Sequence, residues 1–430
     1  MASFVVQGSN RISGEISIHG AKNAALPILA GAILCPDCII HNCPDLSDIT
    51  AARNILSYLG CETHREGNSI TVKRGGIINC DIPDPLMREM RSSIVFLGAI
   101  IARCGFAKIS MPGGCELGPR PIDLHLSSLE KLGVQIEEDH GYLNCSAAGG
   151  LHGAVISLPF PSVGATENII LASCTAQGET VIYNAAREPE ILDLIQFINE
   201  AGGKIRVDSD STIIIQGVPA LYSCEHFVIP DRIVAITYLC AAAVTKGDIL
   251  VTNMRPEHIA AVLPVLEETG CLLRQYDDAI SLRLDRRPKP VKNIRTMPYP
   301  GFPTDAQAPL MALSTLAEGS SMYIENIFEN RYKHAAEMVR MGAKIKVEGR
   351  VALVEGVKKL HGAPVECTDL RGGASLVLCA LAAEGESRIE KINHIQRGYE
   401  DLEVNLSRLG ANIKRSQDER NETEEENAQG

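Results

Sequence analysis

The chain has 430 residues, 45% hydrophobic and 22% charged, with a formal net charge of −12 at pH 7. A single core rarely grows past about 250–300 residues, so two domains are expected, and the acidic balance argues against nucleic acid as the main partner. No apolar run approaches the roughly 20 residues of a membrane span, and the opening Met1–Gly8 lacks the basic and apolar regions of a signal peptide, so a cytoplasmic location is expected.

Along the chain one unit recurs: a helix end, a glycine, then a strand of alternating apolar residues. It appears at Leu59-Gly60-Cys61, Leu132-Gly133-Val134, Ala201-Gly202-Gly203, Thr269-Gly270-Cys271, Met341-Gly342-Ala343 and Leu409-Gly410-Ala411, with the first glycines 68 to 73 positions apart. Glycine closes helices because it takes the left-handed conformation without a Cβ clash. A second landmark keeps the same period. Helices rich in Ala and Leu end at Gly105, Gly178, Gly247, Gly319 and Gly385, with Pro36 in the equivalent place of the first copy. Six units therefore tile the chain, each with two helices and several short strands.

The Ala-rich helices, such as Ala312–Glu318, carry few charges, and a helix apolar most of the way round belongs inside a domain. The expected fold is thus α/β, with inner helices, outer strands and three units in each of two domains. A Pro-marked junction falls at Val228-Ile229-Pro230-Asp231-Arg232.

The inner helices start at Gly20-Ala21-Lys22-Asn23, Met87–Ser92, Ser162-Val163-Gly164, Pro230-Asp231-Arg232, Pro303-Thr304-Asp305 and Thr368-Asp369-Leu370-Arg371. Ser, Thr and Asp at these places are N-cap candidates. Threefold packing of the repeats points three helix N-termini to one end of each domain, and N-termini attract anions. Lys22, Arg91, Arg120, Arg371 and Arg397 add full charge there, a local positive field in an acidic protein. No phosphate-binding GKS/T loop and no dinucleotide fingerprint is present.

Most of the 14 cysteines, among them Cys174, Cys240 and Cys379, sit in apolar runs and read as small buried hydrophobes. Cys35 and Cys38 are separated by Pro36 and Asp37; with no second pair of that spacing, no metal site is expected. Cys115 differs. It lies in the Gly- and Pro-rich loop Pro112–Pro121 and reads as a chemically working thiol on a lid-like segment. The tail Asp418–Gly430 holds six acids and one base without apolar periodicity, and is expected to be disordered and solvated.

The ordered motifs Gly20-Ala21-Lys22-Asn23-Ala24-Ala25-Leu26-Pro27, Met90-Arg91-Ser92-Ser93, Pro112-Gly113-Gly114-Cys115 and Gly118-Pro119-Arg120-Pro121-Ile122-Asp123 carry a family resemblance. It continues through Ser162–Thr166, Asn184–Glu190, Phe302-Pro303-Thr304-Asp305, Phe328–Arg331, Thr368–Arg371 and Arg397–Glu400. From the first strand to about Arg415 the chain resembles the UDP-N-acetylglucosamine 1-carboxyvinyltransferase family of enolpyruvyl transferases.

The resemblance implies two inside-out α/β barrel domains of three repeats, 22–229 and 230–417, with 1–21 completing the second and the active site in the cleft between them. It implies transfer of the enolpyruvyl group of phosphoenolpyruvate to the 3′-hydroxyl of UDP-N-acetylglucosamine, an early step of peptidoglycan synthesis, without metal or cofactor. Cys115 is then the acid that protonates C3 and Asp305 the base near the sugar hydroxyl. Lys22, Arg120 and Arg397 hold phosphoenolpyruvate, with Arg91 and Arg371 nearby, and Asp369 assists the elimination. The UDP-sugar site falls to Asn23, Arg120, Pro121, Ile122, Asp123, Leu124, Phe160, Pro161, Ser162, Val163, Asp305 and Ile327. The alternatives are a shikimate-type enolpyruvyl transferase, against which the Cys115 loop and the Asn184–Glu190 motif argue, and a non-catalytic paralogue that binds the nucleotide sugar and regulates.

Overall fold

The repeat glycines do what their position requires. Gly60, Gly133, Gly202, Gly270, Gly342 and Gly410 all have φ between 91° and 99°, a conformation that side chains with a Cβ rarely adopt. Each turns the chain out of an outer helix and into a strand. The second landmark holds for a different reason at one position. Gly105, Gly178, Gly319 and Gly385 also have positive φ, but Gly247 does not, and Lys246 takes φ 55° in its place. A Cβ on Gly247 would lie 2.4 Å from the Ile12 carbonyl oxygen, so close approach, not backbone hand, selects glycine there.

In the computed structural model, residues 2–76, 79–90, 92–111, 122–208 and 211–417 are described. Arg91, Cys115, Arg120, Pro121 and the tail 418–430 lie outside these residues. The described residues divide into two compact units, 19–231, and 2–18 with 232–417.

Among the described residues six four-stranded sheets share one plan. In the first, Cys224–Phe227 pairs in parallel with Asp37–His41, which pairs antiparallel with Ser69–Arg74, and that with Cys61–Glu66. The others repeat this sequence of one parallel and two antiparallel pairings, as in Val155–Ser157, Glu179–Tyr183, Ile213–Gln216 and Lys204–Val207. The plan is filled by non-sequential strands at the ends of each unit. Ala2–Gln7 lies between Glu386–Glu390 and Asn412–Gln417, and Ser13–Ser17 pairs with Asp248–Thr252. Strands such as Asp248–Thr252 alternate buried and less buried residues, so each sheet presents one apolar face to its core.

That face covers three inner helices per unit: Lys22–Ala32, Phe96–Cys104 and Val163–Ser173 in one, Arg232–Val244, Thr304–Ser314 and Leu370–Ala382 in the other. All thirteen residues of Arg232–Val244 are buried. Small residues let these helices approach closely. A Cβ on Gly98 would lie 2.4 Å from the Asn168 carbonyl oxygen, and the Gly98 N–H donates to Asn168 Oδ1 at 2.6 Å.

The contacts also set helix direction. Gly98, third in its helix, meets Asn168 midway along its own, and Gly31 meets Leu171 near both C-terminal ends. In the second unit Asp305 and Arg371, each the second residue of its helix, are paired, and Tyr399 ties Arg371 to Thr237 of Arg232–Val244. The inner helices of each unit therefore run parallel, with their N-termini at one end. No helix among the described residues is long and apolar enough to cross a membrane.

Candidate active site

Within the unit 232–417 the inner-helix N-termini build a charged network. Pro303 ends an extended approach, and Asp305 sits in the first turn of Thr304–Ser314. It is not the helix cap that its place in the sequence suggested; its carboxylate turns to two arginines instead. Oδ1 accepts from Arg331 Nη2 at 2.7 Å and Oδ2 from Arg371 Nε at 3.4 Å. The two arginine side chains are 4% and 2% exposed, while that of Asp305 is 28% exposed. One carboxylate thus faces outward, backed by two dry guanidinium groups.

Aromatic rings hold those arginines. The Arg371 guanidinium lies 5.1 Å from the Tyr399 ring centre, and Arg331 lies 5.5 Å from that of Phe328. The Tyr399 hydroxyl is 2.9 Å from Thr237 Oγ1. Arg397 is half-buried at the end of Asn393–Gln396, two residues before this tyrosine. Glu325 positions the adjoining segment: it accepts from Thr304 Oγ1 at 3.0 Å and from the N–H groups of Ile327 and Phe328 at 2.8 and 3.1 Å.

Asp369 is the N-cap of Leu370–Ala382, its Oδ1 accepting from Arg371 N–H at 3.1 Å and Gly372 N–H at 2.9 Å. Burial pushes this carboxyl up, but Arg331, His334 and the two backbone N–H groups outweigh it, and it is held below the usual carboxylate range. His334 is fully buried, and burial pushes its imidazole down to about 4. Neither of its ring nitrogens has a hydrogen-bond partner among the described residues.

The unit 19–231 places its residues differently. Lys22 opens the helix Lys22–Ala32; its N–H donates to Asp231 Oδ2 at 3.3 Å and its Nζ to Asp48 Oδ2 at 3.2 Å. The Asp48 side chain is 1% exposed and the Lys22 side chain 11%, so this ion pair is buried. Asn23 is half-buried beside it. Pro27 and Pro309 both occupy the sixth position of their helices, and each removes a helical N–H next to the turn that carries Asn23 or Asp305.

Ser162 caps Val163–Ser173, accepting from Ala165 N–H at 3.3 Å. Phe160 is exposed, with Pro161, Ser162 and Val163 half-buried after it. Ile122 precedes the helix Asp123–Lys131, which carries Asp123 and Leu124 and packs on Val163–Ser173. The contact is made by His125, whose ring a Cβ on Gly164 would meet at 2.8 Å and whose Nδ1 is 2.9 Å from Asn168 Nδ2. Ile122–Leu124 and Ser162–Val163 are therefore brought together.

Four participants in these networks were not foreseen. Asp48, Glu325 and His334 look in the sequence like any helix or strand residue. Arg331 stands in a motif noted above, but nothing in the sequence gave it a partner.

The family profile described as EPSP synthase (3-phosphoshikimate 1-carboxyvinyltransferase) matches residues 6–419. The chain is 50% identical to UDP-N-acetylglucosamine 1-carboxyvinyltransferase 2 of Caldanaerobacter subterraneus subsp. tengcongensis, over 96% of this chain and 100% of that protein. It is 49% identical to UDP-N-acetylglucosamine 1-carboxyvinyltransferase 1 of Symbiobacterium thermophilum, over 96% of this chain and 95% of that one. In three dimensions it is similar to the enolpyruvyl transferase NikO from Streptomyces tendae, with a TM-score of 0.88 at 25% identity, covering 96% of this chain and 99% of that one. The fold is that of the enolpyruvyl transferases, two α/β units with helices inside and sheets outside, and the chain belongs to the UDP-N-acetylglucosamine 1-carboxyvinyltransferase family within it.

Proposed function

We propose that this protein transfers the enolpyruvyl group of phosphoenolpyruvate to the 3′-hydroxyl of UDP-N-acetylglucosamine, releasing phosphate, in peptidoglycan synthesis and in the cytoplasm. The observation that carries this reading is near-full-length identity of 50% and 49% to proteins named for that activity. The reaction is an addition followed by an elimination. The sugar oxygen bonds to C2 as the hydroxyl loses its proton, and C3 gains a proton. The C2–O bond to phosphate then breaks, and C3 gives up a proton.

Asp305 suits the base near the hydroxyl, because its carboxylate is part-exposed and hydrogen-bonded from behind by Arg331 and Arg371. Lys22, Arg120 and Arg397, with Arg91 and Arg371, supply cations for the phosphate and carboxylate. Cys115 is the donor to C3, since a thiol with a pKa of about 8.5 is mostly protonated at neutral pH. Asn23, the stretch 120–124, the stretch 160–163 and Ile327 line the nucleotide-sugar site. For Asp369 a positioning role in the elimination is favoured: the residue is 5% exposed, its carboxylate is already bound to two N–H groups, and a carboxyl held low is a weak base.

The deciding experiment incubates the protein with phosphoenolpyruvate and either UDP-N-acetylglucosamine or 3-phosphoshikimate and measures phosphate release. Release with the nucleotide sugar alone is expected. Release only with 3-phosphoshikimate, or binding of the nucleotide sugar without turnover, overturns the proposal.

A further inference from the structure

Away from the candidate active site, three thiols meet. Cys35 follows the inner helix Lys22–Ala32, Cys38 lies on the strand Asp37–His41, and Cys224 lies on the edge strand Cys224–Phe227. Cys38 and Cys224 are register partners in the parallel pair, with Sγ atoms 3.7 Å apart. All three Sγ atoms lie within 4.8 Å of one another, and this is the one such group of His, Cys, Asp or Glu among the described residues. Cys35 and Cys38 are 0% and 1% exposed, while Cys224 is half-buried.

We propose that Cys35, Cys38 and Cys224 form a binding site for Zn2+, three thiolates with a water at the fourth position on the open side of Cys224. The dimensions fit. Zinc–sulfur bonds of about 2.3 Å place tetrahedral ligands roughly 3.8 Å apart, close to the 3.7 Å between Cys38 and Cys224. Cys35 and Cys38 have the spacing of one metal-binding half-motif, and the fold supplies a third thiol 186 positions from Cys38 where the sequence offered no second pair.

When Zn2+ enters, the three thiols give up their protons and bind it as thiolates.

The site has a structural purpose. Cys35 and Cys38 belong to the first repeat, and Cys224 lies on the strand with which the unit 19–231 ends. The ion ties that strand to the first repeat and closes the ring of three.

The test uses the full chain carrying Cys115→Ser, which removes the loop thiol, reduced and freed of metal under nitrogen and titrated with Co2+. Expected are thiolate-to-cobalt charge-transfer bands that saturate at one ion per chain, vanish on adding Zn2+, and are lost in a further Cys224→Ser variant. Absence of saturable bands, or bands that survive Cys224→Ser, overturns the proposal. If the serine variant fails to fold, alkylation of the Cys115→Ser protein decides by peptide mass spectrometry. Zn2+ must protect Cys224, and equal labelling with and without Zn2+ overturns the site.

Discussion

The inner-helix N-termini of the two units share one repeat plan and solve the same packing problem with opposite chemistry. In 232–417 the buried end is ionised: Asp305 and Asp369 face Arg331 and Arg371. In 19–231 the buried end is largely neutral. Asn168 bridges Gly98 N–H, the Ile94 carbonyl and His125, and Glu167 is pushed well up by burial, then by Glu190 and Glu188. Lys22, with Asp48 and Asp231, is its charged exception. The difference teaches that the repeat dictates where polar groups converge, while residue type decides whether the convergence is an ion network or a hydrogen-bonded plug. The first holds a part-exposed carboxylate, that of Asp305, already backed by two cations.

The comparison breaks most sharply at Arg371. Arg371→Met leaves Asp305 short of a buried cation, and urea unfolding is expected to show a loss of about 3–5 kcal/mol. The neutral counterpart is milder. Asn168→Ala strands the Gly98 N–H and is expected to cost about 1–3 kcal/mol in the same measurement. Equal losses at the two sites would erase the distinction drawn here.

Acid titration sharpens it further. His125 and His334 are both pushed down to about 4, chiefly by burial, from an ordinary 6.5. The unfolded chain therefore takes up these protons first as pH falls, so their contribution to stability is complete above about 6.5 and is lost toward about 4. Asp369, held low, contributes in the same sense but at lower pH, as its carboxylate protonates. Urea midpoints between pH 7 and 4 should fall, and His334→Gln should flatten that fall. An unchanged slope would mean that His334 titrates normally. The smallest effect is at the cap of the neutral end: Ser162→Ala is expected to cost about 1 kcal/mol, read as a small shift of the urea midpoint.

Much of this organisation was legible in the residues. The six helix-ending glycines fall at their 68 to 73 residue spacing and all adopt φ between 91° and 99°, a conformation that a Cβ disfavours. Ser162 and Asp369 cap as their residue types suggest. Asp305 does not, because two buried arginines compete for its oxygens more strongly than the helix N–H groups do. Gly247 had the right identity for another reason, a close approach to Ile12 that no local pattern reveals. Asp48, Arg331 and Cys224 acquire meaning only through partners 26, 26 and 186 positions away, and chain periodicity carries no information at those separations.

The most direct test of the account is Asp305→Asn, which preserves shape and hydrogen-bonding reach while removing the proposed base. With the fold checked by circular dichroism, turnover with phosphoenolpyruvate and UDP-N-acetylglucosamine is expected to fall by about 10²–10⁴-fold. The calorimetric Kd for the nucleotide sugar should change far less. A variant that keeps most of its turnover, or that loses turnover only in proportion to lost binding, would contradict the role assigned to the ionised end of the second unit.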